Sequence, residues 1–135
     1  MAELDKTLLI IGAGREQIPA YKLAHEMGLL VVGTDMNPDA PAFAHADFKL
    51  IASTRDANIT LEVVKEFNKT HKIDGVITIA NDVPYTVAMV ASELGLPGIS
   101  VQSAKYFLNK VEMKKCFYKH DIKTPDFISI PDKES

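Results

Sequence analysis

Two short polar clusters hold the residue types that could bind and orient a small ligand. The first is Gly12-Ala13-Gly14-Arg15-Glu16-Gln17, directly after the apolar run 8–11, and the second is Asn81-Asp82, directly after the apolar run 75–79. A glycine turn between a buried strand and a helix aims backbone N–H groups and the positive end of the helix at an anion. Gly12 and Gly14 supply that turn, although a tight strand-to-helix reversal would need them with or without a ligand. Arg15 at a helix N-terminus opposes the helix dipole, a local conflict that an anionic ligand or a partner carboxylate resolves. Asn81 and Asp82 suit a cationic or hydroxyl group, and Asp82 reads equally well as the N-cap of the helix that Pro84 helps start. Asp35 stands where a dinucleotide fold places the acid for its ribose hydroxyls, yet Asp35 or Asn37 also suits the cap of the Asn37-Pro38-Asp39 turn. The dinucleotide fingerprint calls for a third glycine at position 17, where this chain has Gln17. The anion-binding signal is therefore intact and the dinucleotide signal is damaged. The four histidines, His25, His45, His71 and His120, lie far apart without ligand spacing, so no metal site is expected from them. Cys116 falls on an apolar helix face and reads as ordinary packing.

The elements that must position these groups alternate between strand and helix. The continuous apolar run 8–11 is typical of a parallel strand buried on both faces. Residues 18–27 carry Ile18, Tyr21, Leu23, Ala24 and Met27 at helical spacing, with Gly28 as the stop. Strands follow over 29–34 and 48–51. A second helix over 58–71 points Ile59, Val63, Val64 and Phe67 inward. A fourth strand covers 75–79 and a helix 83–94, with Gly95 as its stop. This order predicts an α/β fold, a Rossmann-like, doubly wound and mostly parallel sheet in three α/β/α layers. With strand order 3-2-1-4, the loops 12–17 and 80–84 face each other where the order reverses, the usual ligand crevice of such sheets. The helix 83–94 is apolar almost all round, which predicts burial on every side. One side would then meet another domain or a second copy, so a homodimer is one expectation. Beyond Pro97 the rhythm changes. Ser103 is expected to open a short helix to Leu108, Asn109 to cap a helix through Tyr118, and 124–130 to begin a new strand. The division expected is a Rossmann-like domain over 1–108 and the start of a second domain over 109–135.

Composition sets the outer bounds. The chain has 135 residues, of which 47% are hydrophobic, enough for a substantial core and too apolar for a disordered chain. A net charge of -3 gives no support for nucleic-acid binding. A single cysteine excludes an internal disulfide and fits a reducing compartment, so a cytoplasmic location is expected. The start MAELDK is polar and the apolar run after it is short, so neither a signal peptide nor a membrane anchor is expected.

Three segments together resemble the N-terminal, pre-ATP-grasp portion of ATP-grasp ligases, the superfamily of biotin carboxylase, carbamoyl-phosphate synthetase and purine-biosynthetic ligases. They are the strand and turn 8–17; Asp35-Met36-Asn37-Pro38-Asp39-Ala40-Pro41-Ala42 with Ala46-Asp47; and Leu94-Gly95-Leu96-Pro97-Gly98 followed by Asn109-Lys110-Val111, Lys114, Lys115 and Ile122-Lys123-Thr124-Pro125. Departures are Asn109 where relatives carry aspartate, Asp121 where glycine is common, and Asn81-Asp82 where several relatives use glutamate. The resemblance implies a reaction in which ATP phosphorylates a carboxylate to an acylphosphate that an amine then attacks, with magnesium neutralising the phosphoryl group. It implies one wall of a substrate site here, with N–H groups around Gly12 and Arg15 holding an anionic group, Asp82 a cationic or hydroxyl group, and Lys110 contacting ATP. In such proteins the ATP lid and the magnesium carboxylates lie in a C-terminal ATP-grasp domain beyond position 135. The chain is therefore expected to lack catalysis alone and to hold neither ATP nor magnesium tightly. Two other classes are consistent with the residues: a nucleotide-sensing or NAD(P)-binding Rossmann module, favoured by Asp35, and an interaction module using the helix 83–94.

Overall fold

The computed structural model describes residues 5–131. Strands β1 (Thr7–Ile11), β2 (Leu30–Asp35), β3 (Phe48–Ile51) and β4 (Gly75–Ile77) form one parallel sheet in the order β3-β2-β1-β4. Helices α1 (Ile18–Glu26) and α2 (Ala57–Asn68) cross over from β1 to β2 and from β3 to β4, and α3 (Pro84–Leu94), α4 (Val101–Leu108) and α5 (Lys110–Lys119) follow β4. The fold is the Rossmann-like α/β arrangement expected, with the order reversing between β1 and β4.

Alternation along the strands builds a core on each face of the sheet. Leu9, Ile11 and Val32 point to one side and pack with Val64 of α2 and Val90 and Ala91 of α3. Ile10 and Val31 point to the other and pack with Tyr21 and Ala24 of α1 and with Ala42 and Phe43, from a 3-10 turn at Pro41–His45. The sheet is thus sandwiched between two helical layers, and its central strands are buried on both faces. Gly33 in β2 admits this packing, because a Cβ there would lie 2.4 Å from the Tyr21 hydroxyl.

Several details depart from the sequence reading. Of the apolar residues at helical spacing, Leu23 of α1 and Met27, just past its end, are exposed; they flank an apolar groove of about 310 Å³ over the β4 edge. In α2, Ile59 is exposed while Thr60 is buried, its hydroxyl donating to the Ser53 carbonyl at 2.8 Å. Asp56 caps α2 by accepting from the Asn58 and Ile59 N–H groups, so that helix begins earlier than hydrophobic spacing suggests. The α3 face expected to need a partner is covered by the chain itself, since α2 and α4 pack along the two flanks that the sheet leaves free. Ser100, three residues before the expected Ser103, caps α4. Asn109 caps α5 as expected, accepting from the Val111 and Glu112 N–H groups.

The segment 124–130 forms no strand. It lies back along α5: Lys114 Nζ donates to the Thr124 hydroxyl and to the Pro125 carbonyl, and Phe127 stacks on Tyr118. Among the described residues, it pairs with none of the four strands. Asp121 has φ 54°, the left-handed conformation that glycine adopts without cost. Among the described residues, no helix is long and apolar enough to cross a membrane.

Candidate functional site

The two loops expected to face each other do so, and in contact. A Cβ at Gly12, whose φ is +102°, would stand 3.0 Å from Asn81 Nδ2, so only glycine fits that turn. Tyr21 Oη donates to the Gly12 carbonyl at 2.9 Å and locks the turn onto α1. Burial and the nearby Asp35 charge push the Tyr21 phenol well above the usual tyrosine range, so it stays a neutral donor.

Gln17 explains the missing third glycine. Its side chain is buried and spans the crevice, with Nε2 donating to the carbonyls of Ile79 at 2.8 Å and Ala80 at 3.2 Å. A glycine at 17 would open this space for a dinucleotide backbone. The glutamine closes it and clamps the β1 exit to the β4 exit. Ala80 is held there at φ 48°, a conformation uncommon for a non-glycine residue and one that recurs at binding sites. The sequence signal for this clamp was visible, an amide in an otherwise intact glycine turn, but its partners were not.

Two of the N–H groups expected to meet an anion are used internally. Gly12 N–H donates to the Thr34 carbonyl at 2.9 Å, and Ala13 N–H donates to Asp35 Oδ2 at 3.0 Å. The N–H groups of Gly14 and Arg15 have no partner among the described residues and stay at the outer edge of the loop, beside the exposed Arg15 side chain. Asp35 Oδ1 accepts from the Asn37 N–H at 3.0 Å, and Asn37 Oδ1 accepts from the Asp39 N–H at 3.0 Å. Asp35 and Asn37 are thereby turn caps, with both Asp35 oxygens committed to main-chain donors. A ribose would have to displace them.

Asp82 does not cap α3. The capping position is Val83, without a side-chain hydrogen bond, and Asp82 is exposed. Instead, Asn81 and Asp82 line a cleft of about 610 Å³ together with Lys110 and an apolar wall of Ile99, Phe107 and Leu108. The cleft thus joins the β4 exit to the first residue of α5, although the two are far apart in sequence. Gly12, Gly14 and Arg15 are not among its lining residues. The wall from α4 had no counterpart in the sequence reading, because Phe107 and Leu108 look like the ordinary apolar face of a short helix. A carboxylate and an ammonium across an open cleft can bind a polar ligand between them, while the apolar wall takes its carbon skeleton or a ring.

The histidines do not converge: His25 pairs with Asp47 at 2.8 Å, His71 stacks on Phe67, and His120 bonds the Cys116 carbonyl. Among the described residues, no group of three or more His, Cys, Asp or Glu side chains is placed to hold a metal ion.

Residues 21–98 match the family model of the ATP-grasp N-terminal domain. No curated protein matches the chain significantly. Among solved structures, phosphoribosylglycinamide synthetase from Anaerococcus prevotii is similar at 30% identity and a TM-score of 0.78, over 87% of this chain and 30% of that one. L-amino acid ligase from Bacillus licheniformis is similar at 22% identity and a TM-score of 0.75, over 99% of this chain and 36% of that one. N5-carboxyaminoimidazole synthetase from Staphylococcus aureus, complexed with ADP, is similar at 19% identity and a TM-score of 0.74, over 98% and 35%. The last two establish a shared fold. This chain spans about a third of the length of these proteins.

Proposed function

We propose that this chain, which belongs to the ATP-grasp N-terminal domain family, forms the substrate-side wall of an ATP-dependent ligase that joins a carboxylate to an amine. The observation that carries this reading is the meeting of Asn81, Asp82 and Lys110 in one cleft. Lys110 offers an ammonium to nucleotide phosphates, Asp82 accepts hydrogen bonds from an amine or hydroxyl, and the apolar α4 wall holds what lies between. Gly14 and Arg15, outside the lining of that cleft, offer N–H groups and a guanidinium on the β1 loop, where an anionic substrate group would approach. ATP, when bound, supplies the phosphoryl group that turns a carboxylate into an acylphosphate. This chain's residues bind and orient; magnesium is assigned no ligand among the described residues.

The domain division belongs to the same proposal. We place a boundary at Asn109, between 1–108 and 109–135, because α5 has no fully buried side chain and, among the helices, packs chiefly on α4. A C-terminal ATP-grasp domain would cover it. The nucleotide-sensing alternative loses support from the geometry, since Gln17 fills the dinucleotide path and Asp35 is occupied.

The intact mass of the natural gene product tests the setting: a product longer by one or two domains, each about 100–150 residues, supports the ligase. In that product, Lys110→Gln is expected to weaken ATP binding about tenfold or more, the loss of a charged hydrogen-bond donor. Unchanged ATP affinity would remove Lys110 from the nucleotide site.

A further inference from the structure

A second cavity, about 230 Å³, opens beside the first and shares Asp82 and Leu108 with it. Its remaining walls are Arg55, Val83, Tyr85 and Thr86. Arg55 sits in the turn 53–56 between β3 and α2, and three hydrogen bonds hold that turn. Asp56 N–H donates to the Ser53 carbonyl at 3.0 Å, and Thr60 Oγ1 donates to the same carbonyl at 2.8 Å. Thr86 Oγ1, buried in α3, donates to the Thr54 carbonyl at 2.7 Å. The turn is therefore tied to the first turn of α3, and the arginine backbone is fixed on both sides.

Neither Arg55 nor Asp82 forms an ion pair with any described residue, including each other. Opposite charges that share one small cavity without pairing suit a ligand carrying both. The planar guanidinium accommodates a carboxylate in a two-pronged geometry, and Asp82 accepts from an ammonium. A phosphate dianion in the same space would be repelled by Asp82. Leu108, common to both cavities, continues into the apolar wall of Phe107 and Ile99.

We infer that Arg55 and Asp82 form a zwitterion site for a free amino acid, with the carboxylate on Arg55, the ammonium on Asp82 and the side chain along Leu108. The inference rests on the reading of this crevice as a substrate wall and narrows it. An amino acid so held has its own carboxylate parked on Arg55 and its nitrogen at the junction with the Lys110 cleft, which makes it the amine partner of the ligation.

The test is amide NMR of the chain titrated with L-leucine, L-leucinamide, N-acetyl-L-leucine and ribose 5-phosphate, and separately with ATP. Leucine is expected to shift the amides of Arg55, Asp82, Tyr85 and Thr86, with leucinamide and N-acetylleucine each binding about tenfold more weakly or worse. Arg55→Gln is expected to cost leucine about tenfold while leaving leucinamide unchanged. Asp82→Asn should cost leucine in the same way while sparing N-acetylleucine. Equal binding of leucine and leucinamide, equal losses for both in Arg55→Gln, tighter binding of ribose 5-phosphate here, or no leucine response overturns the zwitterion site. An ATP shift at Lys110 without the leucine response would sink this inference alone. The leucine response together with a longer natural gene product that binds no ATP would sink the ligase reading alone.

Discussion

At the scale of single residues, Gln17 and Thr34 show how local chemistry is set by a partner distant in sequence. Gln17 Nε2 satisfies two carbonyls of the β4 exit, and one of them belongs to the strained Ala80. Truncation to Gln17→Ala removes both bonds and leaves those carbonyls facing a cavity. A loss of about 1–3 kcal/mol is expected in urea denaturation, and a change under a few tenths would mean that the clamp carries no weight. Thr34 poses the opposite case. It is fully buried, and its Oγ1 has no hydrogen-bond partner among the described residues, so its desolvation is uncompensated. Thr34→Val keeps the branched shape and drops the hydroxyl, and is expected to raise stability by about 1 kcal/mol. Destabilisation would reveal a bond to ordered water that the hydroxyl depends on.

At the scale of elements, two carboxylates anchor strand starts to their surroundings. Asp74, just before β4, accepts from the Thr7 N–H at 2.9 Å and pairs with Lys72 at 3.2 Å. The Thr7 bond does most to hold its carboxyl below the usual range, against a smaller opposing effect of burial. Asp47, just before β3, accepts from the Val31 N–H at 2.7 Å and pairs with His25 of α1 at 2.8 Å. Burial pushes its carboxyl up, but the bonds from His25 and Val31 together outweigh that and leave it low. Both folded values lie below the unfolded ones, so the stabilisation is present above the ordinary carboxylate range near pH ~4. It is lost as pH falls through the lowered values. Acid unfolding should therefore begin below about pH 4, and the double variant Asp47→Asn, Asp74→Asn should flatten that slope in a pH series of thermal midpoints. An unchanged slope would assign the acid sensitivity to other carboxylates.

At the scale of the whole molecule, α3 shows how an apolar helix finds its cover within the chain. Its apolar girth suggests a docking surface, yet α2, α4 and the sheet enclose it. Met89 is half-buried among them. Met89→Glu is accordingly expected to lower the thermal midpoint while leaving the sedimentation coefficient of the folded protein unchanged, because it places a charge in an intramolecular seam. A change in association state with an unaltered midpoint would restore α3 as an interface. The cleft is also a whole-molecule property, for α4 supplies one of its walls and leads the chain to Lys110, which lines it together with Asp82.

The amino-acid sequence alone determined the layered α/β fold, the strand order and the position of the crevice. Each follows from short-range periodicity and the right-handed crossover, physics that acts within thirty or so residues. It also marked Asn81 and Asp82 as polar groups with no need in a bare scaffold, while Lys110 stood out only through the family resemblance. What it could not supply was proximity in space: the bond from Gln17 to Ile79, sixty-two positions away, and the shared cavities that bring Asp82 together with Leu108 and Lys110 and with Arg55. The same limit explains the misread ends. Capping by Asp56 and Ser100, the cover over α3 and the absence of a strand over 124–130 all depend on which neighbour lies within reach. Only tertiary structure decides that, because hydrogen bonding and burial are settled by proximity in space and not by residue type.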